Sequence, residues 1–160
     1  MAAPDFTQSR ITSFFKLTMK LLRVFLSLIL LSCCLSSRAD IIVIGNVANG
    51  IEKLSKDEVI NLYMGKNRRL SSGINAIPLD LAAPNEEKAQ FYQLLVHRSL
   101  PEINSYWARL TFSGQGSPPL QIASVEEILR MVSSNKGAVA YIDRKYLDKR
   151  VKLIYDPALN

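Results

Sequence analysis

The chain of 160 residues has only two cysteines, Cys33 and Cys34, and one histidine, His97, and this scarcity excludes several kinds of site. Both cysteines precede residue 40, so the remaining stretch has no disulfide and no cysteine nucleophile. A zinc site or a catalytic dyad requires partners at defined spacing, and His97 has no second histidine or cysteine to provide them. We therefore expect no cofactor and no metal, and we expect the protein not to be an enzyme.

Motifs that bind nucleotides or activate a serine are also missing. The sequence contains no Walker loop, no dinucleotide fingerprint and no GxSxG elbow. Gly114-Gln115-Gly116 is a weak signal, because GxG recurs in ordinary turns. His97 follows a predicted helix, where a cation is favoured by the helix dipole, and we interpret it as a helix-end residue.

The charge of the chain gives little support to nucleic-acid binding. The whole chain carries 20 basic and 14 acidic side chains, a net charge of +6. Residues 1–39 contain five basic residues and a single acidic one, so 15 basic and 13 acidic side chains remain after them. A nucleic-acid-binding domain needs a clustered basic face. We therefore expect no nucleic-acid partner.

The first 39 residues have the three-part pattern of a secretory signal peptide. Basic residues precede an apolar core of about 12 residues from Val24 to Leu35, and Ser37 and Ala39 are small residues at the positions that signal peptidase recognises. The core is shorter than the roughly 20 residues that span a bilayer. We predict cleavage after Ala39, export of the remaining chain, and no stable transmembrane span after processing.

Three alternatives for this leader stay open. The apolar core could remain as an uncleaved anchor helix. Residues 30–33 weakly resemble a lipobox, which would place a lipid anchor on Cys33. Translation could begin at Met19, because residues 19–23 form a compact basic start.

From residue 40 onward, apolar strands alternate with capped helices. The β-branched run over residues 41–45 predicts a buried strand. Ser55 and Glu58 have the spacing of a capping box and predict a helix that ends at Gly65. The pattern predicts further strands over residues 74–79, 138–142 and 151–155, helices that begin near residues 85, 101 and 124, and a short helix or turn over residues 144–148.

Strands separated by helices predict a mostly parallel sheet that is covered on both faces. The predicted fold class is α/β, a single-lobe three-layer αβα sandwich over residues 40–160. We expect these side chains in its packed layers: Val59, Leu62, Trp107, Leu110, Ile128 and Leu129. Tyr106, Trp107 and Phe112 are also interpreted as core residues, and a binding platform is the alternative for these three.

Basic residues gather in two places along this stretch. The first contains Lys66, Arg68 and Arg69, and the second contains Arg144, Lys145, Lys149, Arg150 and Lys152. Because Asp143, Asp148 and Asp156 interleave the second cluster, we interpret these charges as solvated loop residues. The alternative is a surface for an anion or an acidic partner.

Three segments, in this order, resemble phosphate-binding proteins of ABC importers, members of the type 2 periplasmic binding protein superfamily. They are residues 54–66 (LSKDEVINLYMGK), 105–114 (SYWARLTFSG) and 137–141 (GAVAY). The second segment resembles the short, single-lobe members of that superfamily. The resemblance implies that residues 40–160 form a phosphate-binding-like domain. It further implies an exported, periplasmic, solute-binding-like protein in anion uptake or sensing, with a small phosphate-like anion as its ligand.

Two departures separate this chain from that family. The family closes two lobes on its ligand, and the matching segment corresponds to the second lobe alone. The family also holds phosphate with an Arg and with Ser-Gly-Thr at a helix start, positions that fall on Leu81 and on residues 85–87, Asn-Glu-Glu. Carboxylates there repel phosphate, so we predict weak binding or none. The candidate ligand-binding residues are Asn85, Lys88, Lys66, Arg68 and Arg69.

A second hypothesis belongs to another class of protein. The domain could be a ligand-free interaction module that docks on a membrane transporter, a sensor or a secretion component. A transporter or sensor as partner is thus part of both hypotheses.

Overall fold

The computed structural model describes residues 39–82 and 85–159, and Ala39–Asn160 forms a compact unit by itself. The predicted signal peptide lies outside the described residues, apart from Ala39. In chain order the described elements are β1 (Ile41–Asn46), α1 (Lys56–Tyr63), β2 (Ile77–Leu81), α2 (Glu86–Val96), α3 (Leu100–Phe112), β3 (Leu120–Ile122), α4 (Val125–Ser134), β4 (Ala138–Asp143), a 3-10 turn (Arg144–Tyr146) and β5 (Val151–Tyr155).

The described strands form one sheet in the order β3-β2-β4-β1-β5. Strand β2 is parallel to β3 and β4, whereas β1 is antiparallel to both of its neighbours, β4 and β5. Four of these strands therefore share one direction and only β1 is reversed. The α/β class and the mostly parallel sheet are confirmed. Helices pack on both β1 and β4, which are buried along their whole length.

The predicted start of the first helix is confirmed. The backbone N–H of Glu58 donates to Ser55 Oγ at 3.3 Å, and Glu58 Oε2 accepts from the backbone N–H of Ser55 at 2.8 Å. After the helix, Gly65 has φ +70°, and a Cβ atom there would lie 2.7 Å from Cη2 of Trp107. Glycine is thus required at this position for its backbone conformation and for the close approach of the indole ring.

The core lies between the sheet and the helices. Five of the six residues predicted for the packed layers are buried, and Leu110 is partly buried. The ring of Phe91 stacks on that of Tyr141 with centroids 4.0 Å apart, and Tyr63 meets Phe91 edge-on at 4.6 Å. Trp107 is only 6 % exposed, so it is a core residue.

Phe112 corrects the prediction that Tyr106, Trp107 and Phe112 are all core residues. The Phe112 side chain is 97 % exposed, at the last position of α3. At 100° per residue, Phe112 lies about 140° around the helix from Trp107, on the side away from the core.

One strand boundary and one whole strand also differ from the prediction. The apolar stretch over residues 74–79 contributes to a strand only from Ile77, because Arg69 and Asn75 pair across a hairpin before it. The sequence pattern does not predict strand β3, because its three residues, which follow two prolines, are too few to show the alternation of a strand. In the part of the chain that the structure describes, no helix has the length and apolar character to cross a membrane.

Candidate functional site

The start of α2, residues 85–88, is the position at which the resemblance predicts an anion, and we call it the helix-start site. It follows the carboxyl end of β2. Asn85 is the N-cap, with extended backbone, and its Oδ1 accepts a hydrogen bond from the backbone N–H of Lys88 at 3.0 Å. The side chain of Asn85 therefore occupies one of the backbone donors that an anion would use at this position.

The ammonium group of Lys88 points away from that position into the core. Its Nζ lies 2.8 Å from Oδ2 of Asp80, and both side chains are at least 96 % shielded from solvent. A buried cation balanced by a carboxylate has no net charge to offer an external anion. Lys88 follows Asn85 by three residues along the chain, but its ammonium group contacts Asp80 and not the helix-start site.

Two tyrosines complete the environment of Asp80. The Tyr141 hydroxyl donates to Oδ1 at 2.5 Å, and the Tyr92 hydroxyl donates to Oδ2 at 3.2 Å. Burial raises the pKa of both hydroxyls, and the negative charge of Asp80 raises these pKa values further. Both tyrosines therefore remain protonated donors at any physiological pH, and Asp80 has partners on both oxygens.

The carboxylates of the helix-start site differ from each other in environment. Glu86 is exposed, whereas Glu87 is half-buried, and among the described residues Oε2 of Glu87 has no hydrogen-bond partner. Burial raises the pKa of Glu87; the nearby Asp143 raises this pKa further, and Lys145 lowers it. The helix start thus carries a carboxyl group that is poorly solvated, and a second anion beside it would be disfavoured.

The basic loop, residues 66–69, lies at the other end of β2. The backbone N–H of Ala76 donates to the Arg68 carbonyl at 2.8 Å, just before β2 begins. The helix-start site follows β2 at its opposite end, and a strand of five residues separates the two by roughly 16 Å. The structure therefore brings Lys66, Arg68 and Arg69 together with one another but not with the helix-start site.

The second basic cluster is mostly paired with carboxylates. Arg144 bridges Asp40 and Asp156, and Lys145 pairs with Asp143 at 2.8 Å. Arg150 pairs with Asp148 and with Glu126. Lys145, Lys149 and Arg150 are exposed, in agreement with the interpretation as solvated residues, whereas Lys152 lies in β5. Lys149 and Lys152 form no such pair with the described residues.

His97 is an exposed helix-end residue, as predicted. It caps the C-terminus of α2 with φ 54°, in the left-handed region. Within the described ranges, no three His, Cys, Asp or Glu side chains are grouped so that they could hold a metal ion.

Sequence reasoning missed Asp80, Tyr92 and Tyr141 as a connected group. The one available signal was an aspartate inside the apolar run Ile77-Pro78-Leu79-Asp80-Leu81. An acidic residue there needs a buried partner, because an unpaired buried carboxylate is strongly disfavoured. The identity of that partner depends on how α2 packs on β2, which no local pattern specifies.

Comparisons with solved structures identify the fold. Neither a family model nor a curated protein matches the chain. Among solved structures, an ABC-type phosphate transport receptor from Vibrio cholerae is similar with a TM-score of 0.58 at 18 % identity. A putative phosphate ABC transporter substrate-binding protein with bound phosphate, from Clostridium perfringens, has a TM-score of 0.58 at 14 % identity, and PstS from Borrelia burgdorferi has 0.57 at 11 %.

The matched region covers most of this chain and less than half of each neighbour. It spans 72 %, 72 % and 73 % of this chain, but 45 %, 44 % and 47 % of the three solved chains, in the same order. Identities this low establish the fold alone. The described part of the chain has the fold of a single lobe of the periplasmic binding protein type, as found in phosphate-binding proteins of ABC transporters.

Proposed function

We propose that this domain is an exported, solute-binding-like lobe that acts in recognition at a membrane transporter, a sensor or a secretion component, and that it does not carry phosphate at the start of α2. The observation that supports this proposal is the ion pair between Lys88 and Asp80. It removes the one basic residue of the helix-start site from contact with solvent, while Glu86 and Glu87 add negative charge.

The second candidate function is anion uptake or sensing. Its support is the likeness in fold to solved phosphate receptors, of which one is described with bound phosphate. Under this hypothesis Asn85, Lys88, Lys66, Arg68 and Arg69 are the ligand-binding residues. The helix-start site and the basic loop lie at opposite ends of β2, so one anion could not contact both within a single copy of the domain. This hypothesis therefore requires two anion sites, or a second copy of the domain that brings the two ends together.

Calorimetric titration with phosphate and sulfate separates the two functions. We expect no saturable heat with the domain that begins at Asp40. Glu86→Gly/Glu87→Thr introduces two of the family's residues and removes two carboxylates, so any gain in phosphate binding in this variant identifies the carboxylates as the obstacle. Glu126→Gly/Glu127→Thr makes the same two substitutions one position further into α4, where Glu126 pairs with Arg150, and is the control for the loss of two carboxylates at a helix start. Tight phosphate binding by the unmodified domain would refute the recognition proposal.

A further inference from the structure

After residue 40, two stretches of more than 20 residues contain basic residues and no acidic ones. Residues 59–79 contain Lys66, Arg68 and Arg69 without a single Asp or Glu. Residues 103–125 contain Arg109 and are also free of acidic residues. The chain has 14 acidic residues, so two such stretches form a positively charged surface only if the fold brings them together.

The fold brings these two stretches together. The Tyr106 hydroxyl donates to the carbonyl of Met64 at 2.8 Å, and Gly65 lies against the indole of Trp107. On the far side of the loop, the Arg68 guanidinium donates to the backbone carbonyl of Ser117 and, at 3.3 Å, to its hydroxyl. The end of α1, the basic loop, the second half of α3 and the loop that follows α3 therefore form one continuous surface.

We call this surface the cationic patch and define it by Lys66, Arg68, Arg69, Arg109 and Phe112. All five residues are exposed. Among the described residues, none of the four cations lies within ion-pair distance of a carboxylate. The patch therefore combines uncompensated positive charge with a large aromatic side chain that is 97 % exposed.

Two glutamates border the patch, and both are engaged elsewhere. Glu58 shares a surface cavity with Arg69, but its Oε2 accepts from the backbone N–H and the hydroxyl of Ser55. Glu102 shares a second cavity with Arg109, and its Oε2 accepts from the corresponding groups of Ser99. These carboxylates hold helix starts, so they reduce the positive potential at the edges of the patch without pairing with its cations.

We propose that the cationic patch binds the surface of a membrane rich in anionic phospholipid. Its cations meet the lipid phosphates, and Phe112 enters the boundary between headgroups and acyl chains, where aromatic side chains are favoured. The inference deepens the proposed function, on which it rests: a recognition lobe whose partner is a membrane protein gains from being held at the membrane.

The shape of the patch favours a lipid surface over an acidic peptide. Phe112 projects from the end of α3 and packs against almost nothing, so it is not the wall of a groove in which a peptide could lie. The residues around it, Ser113, Gly114, Gln115 and Gly116, are exposed, small or uncharged and place no acidic group beside the ring. A projecting aromatic residue among cations can enter a bilayer without a complementary pocket.

Sedimentation with vesicles tests the proposal. The protein used is the chain that begins at Asp40, because Ala39–Asn160 forms a compact unit with its own hydrophobic core. The vesicles contain phosphatidylcholine either alone or with about 30 % phosphatidylglycerol. We expect binding to the anionic vesicles only, and loss of binding as salt rises from about 0.1 M to about 1 M. Lys66→Glu/Arg109→Glu should lower the partition coefficient at least about tenfold, and Phe112→Ser should lower it severalfold.

Lys136→Glu/Lys149→Glu is the matched control for the charge reversal, since it reverses two exposed cations outside the patch. Leu159→Ser is the matched control for Phe112→Ser, since it removes an exposed apolar side chain outside the patch. Circular dichroism confirms that each variant is folded before its binding is compared.

Equal binding to neutral vesicles, or unchanged binding by the patch variants, would overturn the proposal. Binding to poly-glutamate with none to vesicles would also overturn it and identify an acidic protein as partner. A phosphate titration that is followed at the backbone amides of Glu86, Glu87 and Lys88 reports on the helix-start site alone, whereas vesicle binding reports on the cationic patch. Failure of the proposed function is therefore distinguishable from failure of this inference.

Discussion

Asp80 and Lys88 form a buried ion pair in which Nζ lies 2.8 Å from Oδ2, at the carboxyl end of β2 and the first turn of α2. Removal of one partner from such a pair leaves an uncompensated charge in the core. We therefore predict that Lys88→Met lowers the free energy of unfolding by about 3 to 5 kcal/mol, measured by urea denaturation.

The control for this prediction is Lys66→Met, which removes an exposed lysine and should change the free energy by less than about 0.5 kcal/mol. The double variant Asp80→Asn/Lys88→Met removes both charges and should recover part of the loss. Equal losses in Lys66→Met and Lys88→Met would show that the pair does not act as described.

A second prediction contrasts two aromatic residues of α3. Trp107 is 6 % exposed and Phe112 is 97 % exposed. Trp107→Ala should cost about 3 to 5 kcal/mol of stability, because it leaves a cavity beneath the helix. Phe112→Ala should cost less than about 0.5 kcal/mol. Thermal unfolding of both variants checks this, and similar costs would place Phe112 in the core.

A third prediction concerns the glycines at positive φ. Gly65→Ala should destabilise more than Gly73→Ala, although both residues are in the left-handed region. Each change forces a Cβ into an unfavourable backbone conformation, at a cost of about 1 to 2 kcal/mol. Only the new Cβ at Gly65 also meets the indole of Trp107, at 2.7 Å. The excess cost in Gly65→Ala, read from urea unfolding, measures that contact; equal costs would contradict it.

A fourth prediction follows from the raised pKa of Glu87, whose causes are burial and then the charge of Asp143. For a carboxyl with a raised folded-state pKa, the unfolded chain loses its proton first. The stability that the protonated Glu87 contributes is therefore fully present below the unfolded-state pKa of about 4.3, and it is lost as pH rises through the folded-state pKa. Glu87→Gln should be more stable than the unmodified domain at neutral pH and equally stable near pH 4.

Urea unfolding of the two proteins across that pH range makes the comparison. Glu86→Gln is the control, because its side chain is exposed and should change stability little at any pH. A difference that persists unchanged at low pH would show that the effect of Glu87→Gln is one of packing and not of charge.

The features that could be predicted from sequence depend on residues close in the chain. The Ser55–Glu58 capping box spans three residues, and the helix starts at residues 85, 101 and 124 carry equally local signals. The strong β-branched run before Gly45 likewise indicates a buried strand. In each case the interaction that defines the element joins residues close in the chain, so the local sequence pattern is sufficient to predict the element.

The features that sequence did not reveal depend on tertiary packing. The reversed direction of β1 is set by its place between β4 and β5, which no local pattern specifies. The withdrawal of Lys88 to Asp80 depends on the packing of α2 against β2. The position of the basic loop, at the opposite end of β2 from Asn85, follows only from the strand directions. The exposure of Phe112, in contrast, was already visible in its angle from Trp107.

The most direct test of the recognition proposal is a phosphate titration followed by nuclear magnetic resonance of the backbone amides of the isotope-labelled domain. We predict that the amides of Glu86, Glu87 and Lys88 do not shift, because Asn85 already accepts from the Lys88 N–H and the neighbouring carboxylates repel a further anion. Saturating shifts at these three amides, on addition of phosphate to the unmodified domain, would contradict it.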